Sequence, residues 1–136
     1  MTQPRAERIK THPDPFEPYC LSQGFRLGDM IFLSGQAALD LEGRLVGEGD
    51  FDAQAEQVFQ NIDMLLREAG ATLADILKVT IYLTDMTYFP KIVELRRKWF
   101  TKPYPADTIV EVSALALPGL MIEIDVTAVI GVRKSG

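Results

Sequence analysis

Residues 122–128 alternate apolar and polar side chains without a break. Ile122, Ile124, Val126, Ala128 and Ile130 share one face at a period of two, and Glu123, Asp125 and Thr127 share the other. A run of that kind is stable only as a strand lying on a core by one side, so the chain must build a sheet with at least one covered face. A second strand precedes it over residues 107–112, with Thr108, Val110 and Val112 on one side and Asp107, Ile109 and Glu111 on the other. Between the two, residues 114–120 carry Leu115, Leu117 and Leu120 around a Pro118-Gly119 turn signal, so the pair reads as two strands joined by an apolar turn. A tip that apolar is a poor solvent surface for a lone chain and predicts cover from another one. Period alone leaves two readings of Glu123 and Asp125 open: a solvated sheet face, or the acidic groups of a site.

The clearest helix lies upstream. Ala55, Val58, Phe59, Ile62, Leu65, Leu66 and Ala69 follow i, i+3, i+4, i+7 spacing, with Asp50 or Asp52 to cap the start and Gly70 to close it as a left-handed stop. Thr72 and Asp75 have capping-box spacing, which predicts one short turn. Residues 76–84 alternate as a strand. A second helix is expected after Asp85 or Thr87, with Pro90 in its first turn and Pro103 and Pro105 beyond its end. At the N-terminal side, residues 19–26 and 30–37 read as a hairpin turning at Gly28-Asp29. The unbroken apolar run Met30-Ile31-Phe32-Leu33 predicts a strand covered on both faces. Gly35, within Ser34-Gly35-Gln36, suggests a bulge or a close backbone approach. Residues 1–18 read as an extended, mostly irregular arm, and residues 19–136 as one domain. Element order is then β-β-(β)-α-β-α-β-β, with the bracketed strand near the Glu42-Gly43 turn. Two helices cover only one face of a mixed α+β sheet of about six strands, and apolar residues on the second face predict self-association.

Charge and composition remove several classes of function. A net charge of −5 disfavours a phosphate-tracking surface, so no nucleic-acid partner is expected. No apolar run reaches the roughly 18 residues of a membrane span. Residues 1–18 lack a signal peptide's apolar centre, which makes the cytoplasm the expected location. The single Cys20 allows no internal disulfide or thiolate metal cluster and is expected to be a packed thiol. The single His12 rules out a histidine-based triad or a paired-histidine nuclease site.

Several short stretches, in order, resemble the Rid family of enamine/imine deaminases, also called the YjgF or endoribonuclease L-PSP-like family. They are Ser34-Gly35-Gln36, the Ala-Gln-x-x-Gln-x-x-x-Asn start of the first helix from Ala53 to Asn61, and Ala69-Gly70. Further on come Lys78-Val79-Thr80-Ile81-Tyr82-Leu83-Thr84-Asp85-Met86, Pro105-Ala106, Val110-Glu111-Val112 and Ile122-Glu123-Ile124. The resemblance covers residues 19–128. It implies a chorismate-mutase-like fold, a homotrimer with clefts between subunits, and cytosolic hydrolysis of small reactive enamines or imines to ketones and ammonia, without metal or organic cofactor. It also implies that Glu123 positions the attacking water, and that Tyr19, Ser34, Val93, Asp107, Thr108 and Ile109 stand at substrate-binding positions.

Three positions depart from the family pattern. An arginine that grips the substrate carboxylate is Asp107 here, a cysteine two residues on is Ile109, and an asparagine of the second helix aligns with Val93. Two like charges about 4 Å apart repel by roughly 4 kcal/mol at an effective dielectric of about 20, which argues against a standard 2-imino acid as substrate. Asp107 then either attracts a cationic imine nitrogen or is neutralised by a nearby arginine such as Arg96, Arg97 or Arg26. Ser34, with no base beside it, reads as a hydrogen-bond donor rather than a nucleophile. The expected activity is therefore Rid-type hydrolysis of a small C–N metabolite. The alternatives are a non-catalytic trimer that binds a metabolite or partner, and, less favoured, an endoribonuclease.

Overall fold

The computed structural model describes residues 3–136, so the first two residues of the expected arm lie outside the described ones. Eight principal elements follow in order: β1 Ala6–Ile9, β2 Gly24–Leu27, β3 Met30–Ala37, α1 Phe51–Glu68, β4 Ile76–Leu83, α2 Phe89–Trp99, β5 Ala106–Glu111 and β6 Ile122–Val129. One six-stranded sheet has the order β1-β2-β3-β6-β4-β5. Every neighbouring pair is antiparallel except β4 with β5, which run parallel because α2 carries the chain back between them.

Each helix begins and ends where local chemistry dictates. The Asp50 side chain accepts a hydrogen bond from the Ala53 N–H, satisfying one of the free donors of the first turn of α1, and Gly70 beyond its end sits at φ +88°. The Asp85 carboxylate accepts from Thr87 N–H at the short turn leading into α2. Asp75 takes the Thr72 N–H and also the Gly131 N–H, tying the turn after α1 to the end of β6.

The apolar stripe of α1 buries Ala55, Val58, Phe59, Ile62, Leu65 and Leu66 against the inner faces of β3, β4 and β6, where Ile31, Val79, Ile81, Ile122, Ile124 and Ala128 are all at most 1% exposed. The Trp99 ring of α2 stacks on Phe59 at 5.2 Å, and Phe100 meets the same ring edge-on, so both helices share one core. The opposite face of the sheet is open. Phe25 and Phe32 are direct cross-strand partners there, 40% and 42% exposed, beside Met30 and Leu27. Residues 30–33 are thus covered on one face of this chain, not two.

The fold departs from the sequence reading at five further places. β5 and β6 are not a hairpin: β4 inserts between them, and the apolar connection crosses over it. That connection is not left for another chain alone, because Leu120 is buried and Leu115 and Leu117 pack on the chain's own core. The bracketed strand reduces to a single bridge between Leu39 and Leu45. The segment read as irregular supplies β1, an edge strand paired with β2, while residues 19–23 form no strand. Cys20 is exposed rather than packed, at the end of a short turn over Glu17–Tyr19 and at φ +61°.

Candidate active site

The bulge in β3 creates the first half of the site. Leu33 pairs with Val126 and Gln36 with Ile124, so Ser34 and Gly35 together face one residue of β6. The extra residue pushes the backbone at Gly35 against the Glu123 side chain. A Cβ built on Gly35 would lie 2.8 Å from Glu123 Cδ, closer than such atoms ever approach. A side chain at position 35 would therefore have to displace the Glu123 carboxylate, and it is space rather than backbone angle that favours glycine here. The bulge is held by the Ser34 hydroxyl donating to Ser22 O at 2.6 Å and by the Gln36 amide donating to Ser34 O at 2.9 Å.

Glu123 lies at a small cavity of about 180 Å³, walled by Phe16, Tyr19, Leu21, Leu39, Leu117 and Leu120. The walls are almost wholly apolar, so the carboxylate is the one charged group there. Burial, and next the charge of Asp125 two residues along the same strand face, raise its pKa above the ordinary carboxylate value. Across the ladder, Tyr82 is the register partner of Glu123 and turns its hydroxyl to Asp125, donating at 3.1 Å. Burial and then that bond push the Tyr82 phenol up. A carboxyl group of this kind can hold a proton nearer neutrality than a solvated glutamate and hand it to, or take it from, a bound molecule.

A wall of this cavity depends on Gln54, which the sequence reading placed in a motif but gave no role. Its amide donates to Gly47 O at 3.1 Å and Gly119 O at 2.8 Å, and its carbonyl accepts from Met121 N–H at 2.8 Å. One buried side chain thus pins the 114–120 connection to the start of α1. Asn61, two turns further along the same face of α1, donates to Ala37 O and Leu39 O. The signal available in the sequence was two amides placed among the apolar residues of an amphipathic helix, where polar groups persist only with partners.

A second groove, of about 430 Å³, lies between α2 and β5. Asp107 projects from β5 to the helix side of the sheet and is bound by a two-pronged arginine: Arg96 Nε donates to Oδ2 at 2.9 Å and Nη2 to Oδ1 at 3.0 Å. This corrects the like-charge premise, because Asp107 is not an uncompensated anion. Of the two alternatives for it, pairing with a local arginine is the one found.

The sequence-proposed residues therefore divide. Tyr19 and Glu123 share the small cavity with Gly35, and Ser34 braces it from the bulge. Val93 and Asp107 line the α2–β5 groove, with Arg97, Phe100 and Tyr104. Ile109 packs against the core on that same side, whereas Thr108 points to the open face and accepts a hydrogen bond from Lys78 Nζ at 2.9 Å. No lining residue is common to the two cavities.

Replacing Gly35 with alanine will drive the Glu123 carboxylate out of its place. The expected result is a Glu123 pKa that falls back toward the ordinary carboxylate value in an NMR titration, with far-ultraviolet circular dichroism unchanged. An unaltered Glu123 titration in that variant would show that the carboxyl keeps its surroundings despite the added methyl group.

Known proteins agree with this architecture. The chain matches the family model described as endoribonuclease L-PSP over residues 9–130. It is 40% identical over 116 residues to a RutC family protein of Pyrococcus abyssi, covering 85% of this chain and 89% of that protein. It is 31% identical to a 2-iminobutanoate/2-iminopropanoate deaminase of Dermatophagoides farinae, covering 76% of this chain and 79% of the other. The crystal structure of RidA from the Antarctic bacterium Psychrobacter sp. superposes with a TM-score of 0.83 at 35% identity, over 91% of this chain and 99% of that one. On the family match over residues 9–130, these identities and this superposition, the chain belongs to the Rid/YjgF/L-PSP (RutC) family.

Proposed function

We propose that the protein hydrolyses small imines, or enamines through their imine tautomers, to carbonyl compounds and ammonia, in a cleft completed by neighbouring copies of the chain. The observation that carries this reading is a half-buried Glu123, its pKa raised by burial, at an otherwise apolar cavity. In the reaction, Glu123 takes a proton from water as the water oxygen bonds to the imine carbon. The C=N π pair moves to nitrogen, which takes that proton from Glu123. The carboxylate then accepts the O–H proton of the carbinolamine and passes it to nitrogen, so that C=O forms as ammonia leaves; one water is consumed and no oxidant or reductant is needed. Tyr19 at the cavity rim is suited to orient the substrate, and the braced bulge keeps water near the carboxylate.

Assembly is part of the proposal. The cavity at Glu123 and the groove at Asp107 are separate on one chain, and the open sheet face presents Phe25, Met30 and Phe32 to solvent. A trimer built on that face would cover the apolar patch, and a neighbour's groove could then adjoin each Glu123. The Arg96–Asp107 pair also supports readmitting carboxylate-bearing imines, which an unpaired Asp107 would have repelled. The endoribonuclease reading has less support, since the single His12 lies exposed outside the Glu123 cavity.

The test is ammonia release from a panel of imines generated in solution: 2-imino acids, neutral imines and cationic iminium ions. Light scattering is recorded on the same sample. Turnover by a particle three times the mass of the chain is the expected result. Tight binding without ammonia would favour a binding protein instead, and a well-behaved monomer would remove the shared cleft.

A further inference from the structure

The loop between β1 and β2 walls the Glu123 cavity with Phe16, Tyr19 and Leu21, although it holds only one short turn of its own. Its two feet are tied together. Thr11 N–H donates to Gln23 Oε1 at 2.7 Å and Gln23 Nε2 donates to Thr11 Oγ1 at 3.0 Å, both residues being buried. Residues 11–23 thus close on themselves as an omega-shaped loop. Within it Asp14 Oδ1 accepts from Phe16 N–H at 2.8 Å, and the N–H groups of Tyr19 and Leu21 both reach the Phe16 carbonyl, at 3.0 and 3.3 Å. The placing of Phe16 and Tyr19 therefore follows that of Asp14. Two acids lie in the loop, and they differ in what they require. Glu17 meets Arg8 and, at 3.7 Å, Lys10, but it is 59% exposed, so water and salt weaken both contacts. Asp14 is 2% exposed, and its Oδ2 accepts from Arg8 Nη2 at 3.2 Å. Without Arg8 it would be an enclosed charge left with the Phe16 N–H as its donor among the described residues, an arrangement far more costly than the loss of a surface pair.

We propose that Arg8 is a positioning residue for the Glu123 cavity: from the edge strand β1 it neutralises the enclosed Asp14, and so keeps the 11–23 loop closed with Phe16 and Tyr19 set against a bound substrate. This deepens the hydrolase reading, and rests on it only for the claim that the closed loop favours turnover. With Arg8 gone, the carboxylate is stabilised by reaching water, and it draws Phe16 and the turn after it out of the cavity. The feet of the loop stay joined through Thr11 and Gln23, and the Ser34 hydroxyl still holds Ser22 O. Glu123 on β6 and the bulge of β3 therefore keep their places. Substrate is then held less well, while the proton transfers on substrate already bound proceed much as before.

The experiment compares Arg8→Met with the parent, as full chains, by amide hydrogen exchange and by ammonia release from the panel imine that the parent hydrolyses fastest. The amides of Tyr19 and Leu21 are expected to exchange about tenfold faster in the variant, with those of β6 unchanged. KM should rise about tenfold while kcat stays within about twofold of the parent. Arg8→Lys should recover part of both effects, since it restores the charge without the planar fork. Adding Asp14→Asn to Arg8→Met should recover most of the closure, because an amide in that place carries no charge that must be solvated. Unchanged exchange at Tyr19 and Leu21 in Arg8→Met, faster exchange with an unaltered KM, or a double variant as open as the single one overturns the proposal. If Arg8→Met fails to fold, the double variant and Arg8→Lys decide the matter, and a double variant more open than the parent by the full tenfold counts against it. Faster exchange as described, with no ammonia released by the parent from any imine, would remove the hydrolase reading alone. Ammonia release with exchange unaffected by Arg8→Met would remove this proposal alone.

Discussion

Glutamine at position 123 will lower ammonia release by about two to four orders of magnitude and, at neutral pH, make the protein more stable. The first effect follows from chemistry: an amide fills the same space but cannot accept the proton that water must lose. The second follows from linkage. Glu123 has a folded pKa above the ordinary carboxylate value, through burial first and Asp125 second. The folded chain therefore holds this proton more tightly than the unfolded one. That contribution is fully present below the ordinary carboxylate pKa and is lost as pH rises through the elevated folded value. Above that window the parent carries a charge its surroundings disfavour, while the glutamine variant carries none. Scanning calorimetry should find the two proteins alike near about pH 4 and the variant melting on the order of a few degrees higher near neutrality. A variant no more stable at neutral pH than in acid, relative to the parent, would mean that Glu123 is solvated as well as any surface glutamate. Full turnover in the variant would place the proton transfer elsewhere.

Leucine in place of Gln54 will cost about 3 kcal/mol or more of folding free energy, although it is apolar, of similar size and set in a helix. Gln54 is 0% exposed and satisfies three backbone groups, those of Gly47, Gly119 and Met121. The Gly119 carbonyl and the Met121 N–H would be left without a partner, at about 1–3 kcal/mol apiece before water or local shifts recover some of it, whereas the Gly47 carbonyl keeps the Asp50 N–H. Since small domains hold only about 5–15 kcal/mol in total, the change consumes a large part of the margin. Urea denaturation should show a lower midpoint with an unchanged slope. The same substitution frees the connection that brings Leu117 and Leu120 to the Glu123 cavity. Turnover should therefore fall even at temperatures where the variant remains folded. A loss below about 1 kcal/mol would show that the three bonds are replaced by solvent at little cost.

Elements whose periodicity and end signals agree could be read directly. The stripe of α1, its Asp50 cap and the Gly70 stop all follow from spacing along one chain, as does the burial of alternate residues in β4 and β6. Gly35 also signalled a bulge or close approach, and both are present. Even the division of Glu123 from Ile122 and Ile124 is set by a two-residue repeat, whatever the strand pairs with.

Pairing itself is not written in alternation. A strand pattern states which side faces the core, but not which strand comes next to it. β4 could thus insert between β5 and β6, turning an apparent hairpin into a crossover. The charge environment of Asp107 was equally hidden, because Arg96 lies eleven residues away on another element and meets it only once α2 packs beside β5. The same holds for Gln54, whose partners at Gly119 and Met121 are more than sixty residues distant. The sequence by itself determined which residues are helical, extended or inward-facing, since those are matters of local period and capping. The tertiary structure alone decided what stands opposite each polar group, since desolvation and pairing depend on distances that folding creates.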